Sequence, residues 1–508
     1  MERFLTRYED RIEGTITGFD RILFRGTARS ISYCHGAEIF LSCQGVLYKD
    51  FAKFTQQITD EICKHGEVFA AEQGRPHEYM SSPSQSKEER AREIMERDQI
   101  TKGLICVLAA VEPCQTITVR GERETKQLGL KSERRQCKHL YFYFADRDFG
   151  LMHIRLQTWF PYTMQVCVNG RLWLANQLQR AGISFVQHDN TFTHISDLPQ
   201  AQKLMDQLAK RDFTKMLNKL TQAVNPLERH PEWNLHGYYW SFRQVEVATD
   251  VMFRDPESLT EIYPRLLEHA MLVWKSEDML RFLGRRINSR FNGEINTNLK
   301  RYEGLRIKHW VQENSIKMYD KAACVLRIET TINNPRCFTA YRKVTRQGQQ
   351  KKAWIPLRKS VADTARLVQI ARAANERYLQ ALAVVGETKP SHRILDPVSQ
   401  PVKLQDRRFR ALQPVSPQDS RLFAAIYRGQ FFLHGFRNKD LCAYLSPPEG
   451  LDHRRFALSI GRKLNLLRAH GLIFRVAKTH LYRITKKGHE VMSTAIKFRD
   501  SDIALLAA

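Results

Sequence analysis

A tyrosine flanked by lysines, followed by an arginine and a glutamate two apart, stands in the run I-K-M-Y-D-K-A-A-C-V-L-R-I-E-T-T-I-N, residues 316–333. Read as two strands and a turn, strict alternation puts Val325, Arg327, Glu329 and Thr331 on one face of the second strand. Leu326, Ile328, Thr330 and Ile332 fall on the other. Arg327 and Glu329 therefore share a face, and the preceding strand can bring Tyr319 to it. These are the parts of a phosphoryl-transfer group. Tyr319 would attack a phosphodiester, Lys317, Lys321 and Arg327 would hold developing negative charge, and Glu329 would hold a divalent metal. Glu246 and Asp250 lie inside the strand-like run 238–253 (Y-Y-W-S-F-R-Q-V-E-V-A-T-D-V-M-F) and are further metal candidates. Mg²⁺ or Mn²⁺ is the ion such oxygen ligands take. The plainer readings also stand: a half-buried strand tyrosine, a same-face ion pair, and bulge polarity for Glu246 and Asp250.

A polyanionic substrate fits the charge. The chain of 508 residues carries 80 Lys+Arg against 54 Asp+Glu, a net of +26, with 43% hydrophobic and 10% aromatic residues. That composition is globular and basic, which points to nucleic acid. The excess is segregated. Residues 285–377 hold 21 basic and 7 acidic residues, a net of +14, and residues 401–508 hold 20 and 8, a net of +12. Two basic modules on a neutral body suggest two phosphate-contacting surfaces. Arg285 and Arg286, and Lys351 and Lys352, are candidate phosphate contacts in the first module, or solvated loops.

The elements that must position these groups read as α+β, a mixed and mostly antiparallel sheet interleaved with helices. Residues 11–29 suggest two short strands and a turn, because glycines punctuate the apolar residues. Ser86 with Glu89 forms a capping box that opens a charged helix. Residues 103–111 and 137–144 read as strands, and 151–159 alternates cleanly. Asn169-Gly170 reads as a turn, residues 185–195 as a hairpin around Asp189-Asn190, and 361–385 as an alanine-rich helix. Residues 1–284 form the neutral body and 285–385 complete it. Five of the 18 prolines fall within 386–417, which reads as a linker.

After the linker, residues 418–508 read as three helices, a small hairpin and a last helix, the order of a winged helix-turn-helix. The segment L-L-R-A-H-G-L-I-F-R-V…H-L-Y-R-I-T-K-K-G resembles winged-helix DNA-binding modules. In those modules the long helix enters the major groove and the wing touches flanking backbone. The resemblance implies that Arg454, Arg455, Ser459, Arg462 and Lys463 face duplex DNA from the helix. Lys478, Thr479 and His480 would do so from the wing tip. Some winged helices dock proteins instead; the charge favours DNA here.

Several classes are excluded. The first residues are charged throughout, so they read as no secretory signal, and no stretch approaches 18 uncharged apolar residues. The ten cysteines form no CxxC pair and read as reduced thiols of a cytoplasmic protein. Cys137 and His139 make one CxH pair, but no second pair follows at zinc spacing. There is no Walker A loop, Rossmann fingerprint, HExxH or GxSxG, so no nucleotide cofactor is expected.

The Y-D-K…L-R-I-E pattern is similar to a run in replication initiators of rolling-circle plasmids and filamentous phages. The opening G-F-D-R-I-L-F-R-G loosely resembles their first strand. That likeness implies strand nicking through a tyrosine with a divalent metal. The chain departs from it in lacking a His-hydrophobic-His pair; His153 stands alone in L-M-H-I-R. The whole chain resembles a widespread bacterial family of uncharacterised proteins with a C-terminal winged helix, which implies no activity. The expectation is a cytoplasmic, nucleoid-associated DNA-binding protein of the initiator or mobile-element kind. The rival expectations are a non-catalytic winged-helix regulator and a structured-RNA-binding protein.

Overall fold

The computed structural model describes residues 1–82, 85–121, 127–230, 237–285, 293–301, 305–346, 349–385, 391–404, 406–427, 431, 435–445, 452–477 and 479–501. In chain order the strands of the body are β1 (Ile12–Ala28), β2 (His77–Tyr79), β3 (Gly103–Gly121), β4 (Leu128–Asp146), β5 (Gly150–Gln157) and β6 (Met164–Asn169). There follow β7 (Phe185–His188), β8 (Thr191–Ile195), β9 (Tyr238–Phe253), β10 (Ile295–Arg301), β11 (Leu305–Val311), β12 (Asn314–Lys321) and β13 (Val325–Ile332). All but β7 and β8 join one eleven-stranded sheet, ordered β10-β11-β12-β13-β9-β1-β6-β5-β4-β3-β2. Its pairings are antiparallel except β2 with β3. The α+β expectation holds, and β10 to β13 extend the sheet.

The middle of the sheet is formed by β13, β9 and β1. Every residue of β13 is buried, which is why its sequence reads as a near-continuous β-branched run. One face of β9 and β13 packs on the helix Thr364–Leu382. Its alanines let the backbone approach, and Asn375 joins the sheet directly. The Asn375 amide donates to Val247 O at 3.0 Å, and its oxygen accepts from Thr330 Oγ1 at 2.7 Å. The even residues of β13 thus face this helix, and the odd ones, Arg327 and Glu329 among them, face away.

Residues 11–29 differ from expectation. They form a single 17-residue strand, not two strands and a turn. The glycines serve packing instead of turning. A Cβ on Gly18 would lie 2.1 Å from Met205, and one on Gly14 the same distance from Leu198. These gaps let the helix Leu198–Lys210 settle beside β1, where Gln202 bonds both N and O of Thr17 at 2.9 Å and so completes the strand's free edge. Asn169-Gly170 is likewise no turn. Asn169 Oδ1 accepts from the backbone N of Arg171 and Leu172, capping the helix Gly170–Arg180. The Ser86 cap, the alternation of β5 and the hairpin at 189–190 are as expected.

The strands β14 (Thr339–Arg346) and β15 (Gln349–Pro356) make a separate hairpin. Beyond it, a second hydrophobic core gathers Leu422, Phe423, Phe456, Ile460, Leu464, Leu467, Leu472 and Met492. It is built from helices Pro417–Ile426, Asn438–Cys442, His453–Ala469 and Lys486–Asp500, with the strand pair Ile473–Arg475 and Tyr482–Ile484. The proline-rich stretch is more ordered than a linker. Leu395, Val398 and Leu412 are buried in this second core, and Val402–Leu404 pairs with Arg407–Phe409. Leu395, Val398 and Leu412, set among the prolines of the described part of the stretch, reach the core. Among the described residues no helix is long and apolar enough to cross a membrane.

A core of its own should let the fragment 391–508 melt cooperatively by circular dichroism. Leu464→Ala should destabilise it by about 2–5 kcal/mol, since this fully buried side chain would leave a cavity. A broad, non-cooperative melt of the fragment would mean that the body completes this core.

Candidate functional site

Strand register assembles the site. β12 and β13 pair so that Tyr319 lies opposite Arg327 and Lys317 opposite Glu329. β13 and β9 pair so that Arg327 lies opposite Asp250 and Thr331 opposite Glu246. On the far side of β9, β1 carries a bulge: Phe19 pairs with Val247 and Arg21 with Glu246, leaving Asp20 as the extra residue. A bulge re-aims a side chain, and here it delivers Asp20 to Arg327.

Arg327 is fully buried and spends its whole fork on partners. Nε donates to Asp250 Oδ1 at 2.6 Å and Nη2 to Asp250 Oδ2 at 2.8 Å, a bidentate pair. Nη2 also donates to Asn190 O at 2.7 Å, and Nη1 reaches Asp20 Oδ1 at 3.4 Å. Asp250 takes a second cation, Arg171 Nη2, at 3.2 Å. Burial works against the charge of Asp250, yet Arg171 and Arg327 outweigh it and hold its pKa below the ordinary value. Arg171, equally buried, is pushed down by desolvation. Asp250 is therefore the counter-ion of two guanidiniums. That corrects its assignment as a metal ligand, because both of its oxygens are already engaged. Arg327, expected as a charge-stabilising catalytic group, has its guanidinium engaged by Asp250, Asp20 and Asn190 O and does not line the adjoining cleft.

A different carboxylate completes the acidic group. Asp20, Glu246 and Glu329 are all buried and present oxygens within 4.8 Å of one another. Each has a cation or donor at hand. Lys317 Nζ lies 2.7 Å from Glu329 Oε1, Arg21 Nε lies 3.3 Å from Glu246 Oε2, and Asn190 Nδ2 donates to Asp20 Oδ1 at 2.9 Å. The Tyr319 hydroxyl donates to Glu329 Oε2 at 2.8 Å. Burial, with the adjoining Glu329 carboxylate, raises the Tyr319 phenol well above its ordinary pKa. Asp20 is raised as well, chiefly by burial, against the pull of Arg327. Lys321 points the other way along the strand, to Asp189 Oδ2 at 3.1 Å and to Asn190 Oδ1, and so pins the β7–β8 turn over the site.

Asp20, Arg21, His153, Glu246, Lys317, Tyr319 and Lys321 line a cleft of about 350 Å³, and Glu329 lies behind Tyr319 and Lys317, outside its lining. His153 is held neutral, its pKa lowered by burial to about 4. The cleft shares Arg21, His153 and Cys167 with a larger groove of about 1020 Å³. Arg25, Arg134, Arg155, Arg243 and Lys359 line that groove, with Glu112 and Tyr141. Glu112 is tied to Lys87, Tyr141 and Arg155 at 2.7–2.9 Å, and its pKa falls to about 2: these donors outweigh its burial. Beside the cleft, Lys308 lies 3.7 Å over the Trp310 ring, and burial lowers its pKa to about 8.

The remaining sequence candidates are scattered. Arg454, Arg455 and Arg462 are exposed on the helix His453–Ala469, with Lys463 half-buried on the same helix. Ser459 turns its hydroxyl inward to Phe456 O at 2.7 Å. Thr479 closes the turn between the two C-terminal strands, its Oγ1 donating to Val476 O, while His480 is exposed. Lys351 and Lys352 are exposed on β15, and Arg285 bonds Gln312 at 2.8 Å. Lys478 and Arg286 lie outside the described residues. Sequence reasoning missed Asp20, Arg21, Arg171 and Asn190. The available signal was a lone acid within an apolar strand run, G-F-D-R-I-L-F.

Compared with known proteins, no family model matches this chain, and no curated protein or solved structure matches it significantly.

Breaking the central pair should be costly. Arg327→Met strands Asp250 beside Arg171 without its bidentate partner, and urea denaturation should show a loss of about 3–5 kcal/mol. Arg327→Met with Asp250→Leu should recover little of it, because buried Arg171 then loses its counter-ion. Asp250 has a folded pKa below its unfolded one, so its contribution is present above about pH 4 and is lost as pH falls below that. The double variant should show a shallower acid limb than wild type.

Proposed function

We propose that this chain is a nucleic-acid-binding protein of initiator or mobile-element type that cleaves one strand in the cleft of its body. The observation that carries this reading is the Tyr319 hydroxyl on Glu329, within a trio of buried carboxylates that opens onto an arginine-lined groove. Phosphodiester cleavage needs a nucleophile, a proton acceptor and cations, and all three are in reach.

In this reading, an incoming phosphate draws Lys317 and Arg21 from their carboxylates. Asp20, Glu246 and Glu329 are then free to hold Mg²⁺ or Mn²⁺, hard ions that suit oxygen donors. Tyr319 Oη attacks phosphorus and its proton passes to Glu329. The bond from phosphorus to the leaving sugar oxygen breaks, and that oxygen takes a proton from solvent. Burial keeps the phenol neutral, and a cation held by Asp20, Glu246 and Glu329 would supply positive charge that eases loss of the phenolic proton.

The C-terminal unit reads best as a winged helix that grips duplex DNA, supported by its order of helices and hairpin and by the exposed Arg454, Arg455 and Arg462. Structured RNA is the other polyanion that the groove could accept. A second reading, a regulator without catalysis, is favoured by the close Lys317–Glu329 pair, whose lysine offsets the carboxylate's charge as it stands.

Sequencing the nucleic acid that co-purifies with the protein identifies the target. Supercoiled DNA carrying that site, incubated with Mn²⁺, should be nicked and left covalently joined to the protein. Tyr319→Phe should abolish the adduct, and Glu246→Gln or Glu329→Gln should slow nicking by about 10²-fold or more. Tight binding with no nicking, or full nicking by Tyr319→Phe, selects the regulator reading or a water nucleophile. Arg454→Ala with Arg455→Ala should weaken duplex binding and lower its salt slope by about 1 per lost phosphate contact.

A further inference from the structure

Cys137 stands beside His139 in the sequence with no second pair at zinc spacing, but the β3–β4 register supplies a partner. Glu112 lies opposite Cys137 and Cys114 opposite Arg135, so Cys114 is the diagonal neighbour of Cys137 on one face. Their sulfurs are 2.6 Å apart. Unbonded heavy atoms rest at about 3.5–4.0 Å, so two separate thiols are crowded there. The two surroundings are unequal. Cys114 is half-exposed on the wall of the large groove, and Cys137 is buried. His139 Nδ1 lies 3.0 Å from Cys137 O, and its Nε2 lies 3.9 Å from Cys137 Sγ.

We propose that Cys114 and Cys137 are a peroxide-responsive dithiol that closes to a disulfide across β3 and β4. Cys114 is the attacking thiol and Cys137 the resolving one. The assignment is independent of the cleft chemistry. The Cys114 thiolate attacks one oxygen of hydrogen peroxide; the S–O bond forms, the O–O bond breaks and hydroxide leaves. The Cys137 thiol gives its proton to that hydroxide, its sulfur attacks the Cys114 sulfenic acid, and the second oxygen leaves as hydroxide, which takes from solvent the proton that Cys114 released on ionising and becomes water. Two thiols are oxidised and the peroxide is reduced to two waters.

The charges around the pair support these roles. A hydrogen bond from the Cys137 thiol pulls the Cys114 pKa down to about 5, with His139 and Arg155 assisting against burial. Donating that bond, together with burial, pushes Cys137 far up. Glu112 and Arg134 are the other charged groups on this part of the wall. By contrast, burial pushes Cys106 and Cys167 up to about 12, which leaves them inert.

The test uses the reduced full-length protein. After hydrogen peroxide, peptide mapping should show a Cys114–Cys137 disulfide and the loss of both free thiols. In Cys137→Ser the sulfenic acid on Cys114 should persist and be trapped by dimedone; in Cys114→Ser the trap should find nothing on Cys137. At about pH 5.5, alkylation of Cys114 should be roughly tenfold faster than that of the exposed Cys43, since its thiolate excess outweighs its lower nucleophilicity. The idea fails if Cys114 stays reduced under peroxide that oxidises Cys43. It also fails if the purified protein carries stoichiometric zinc that Cys114→Ser releases, which would make the pair a metal site.

Discussion

A guanidinium with no access to water sits at the centre of the sheet, and the rest of the site is arranged around keeping it paired. Arg327 could not be buried alone: an uncompensated charge in a protein interior costs several kcal/mol. Its bidentate bond to Asp250 requires β13 and β9 to be in register. Its reach to Asp20 requires the bulge in β1, and its bond to Asn190 O requires the β7–β8 turn to fold down onto the sheet. A one-residue slip in any of these strands would turn the partner to the opposite face. One ion pair thus fixes three separate stretches of chain.

That constraint explains the shape of the chemistry beside it. Asp250 is consumed by Arg327 and Arg171, so it serves structure. Asp20, Glu246 and Glu329 lie next to it with weaker claims upon them, a lysine, an exposed arginine and an amide. Of those partners, Lys317 and Arg21 also line the cleft. Arg171 is the cost of the arrangement: among the described residues its Nε and Nη1 find no acceptor, and desolvation lowers its pKa.

The groove also revises the meaning of the charge segregation. Along the chain, the excess lies in residues 285–377 and 401–508. In space, the arginines of the large groove come mainly from the neutral part: Arg21, Arg25, Arg134, Arg155 and Arg243. Many acids of that part are engaged elsewhere, such as Asp148 with Arg180 and Glu78 with Arg90. Net charge per segment therefore located one basic surface of the body and missed the other, since it counts residues without regard to the face on which they fall.

Local pattern alone settled a good deal. Alternation over 325–332 put Arg327 and Glu329 on one face, because a strand has a period of two and no tertiary contact can change it. The Ser86 cap and the 189–190 hairpin were legible for the same reason, as each depends on neighbours within a few residues, and the α+β class followed from the mix of such local patterns. Only the folded chain decided that Asp20 and not Asp250 joins the carboxylate trio, that Arg327 is a strut, that the glycines of β1 admit a helix, and that Cys114 lies against Cys137. Those outcomes depend on strand order, a single bulge and cross-strand register. They arise from contacts between segments far apart in the chain, about which composition and periodicity carry no information.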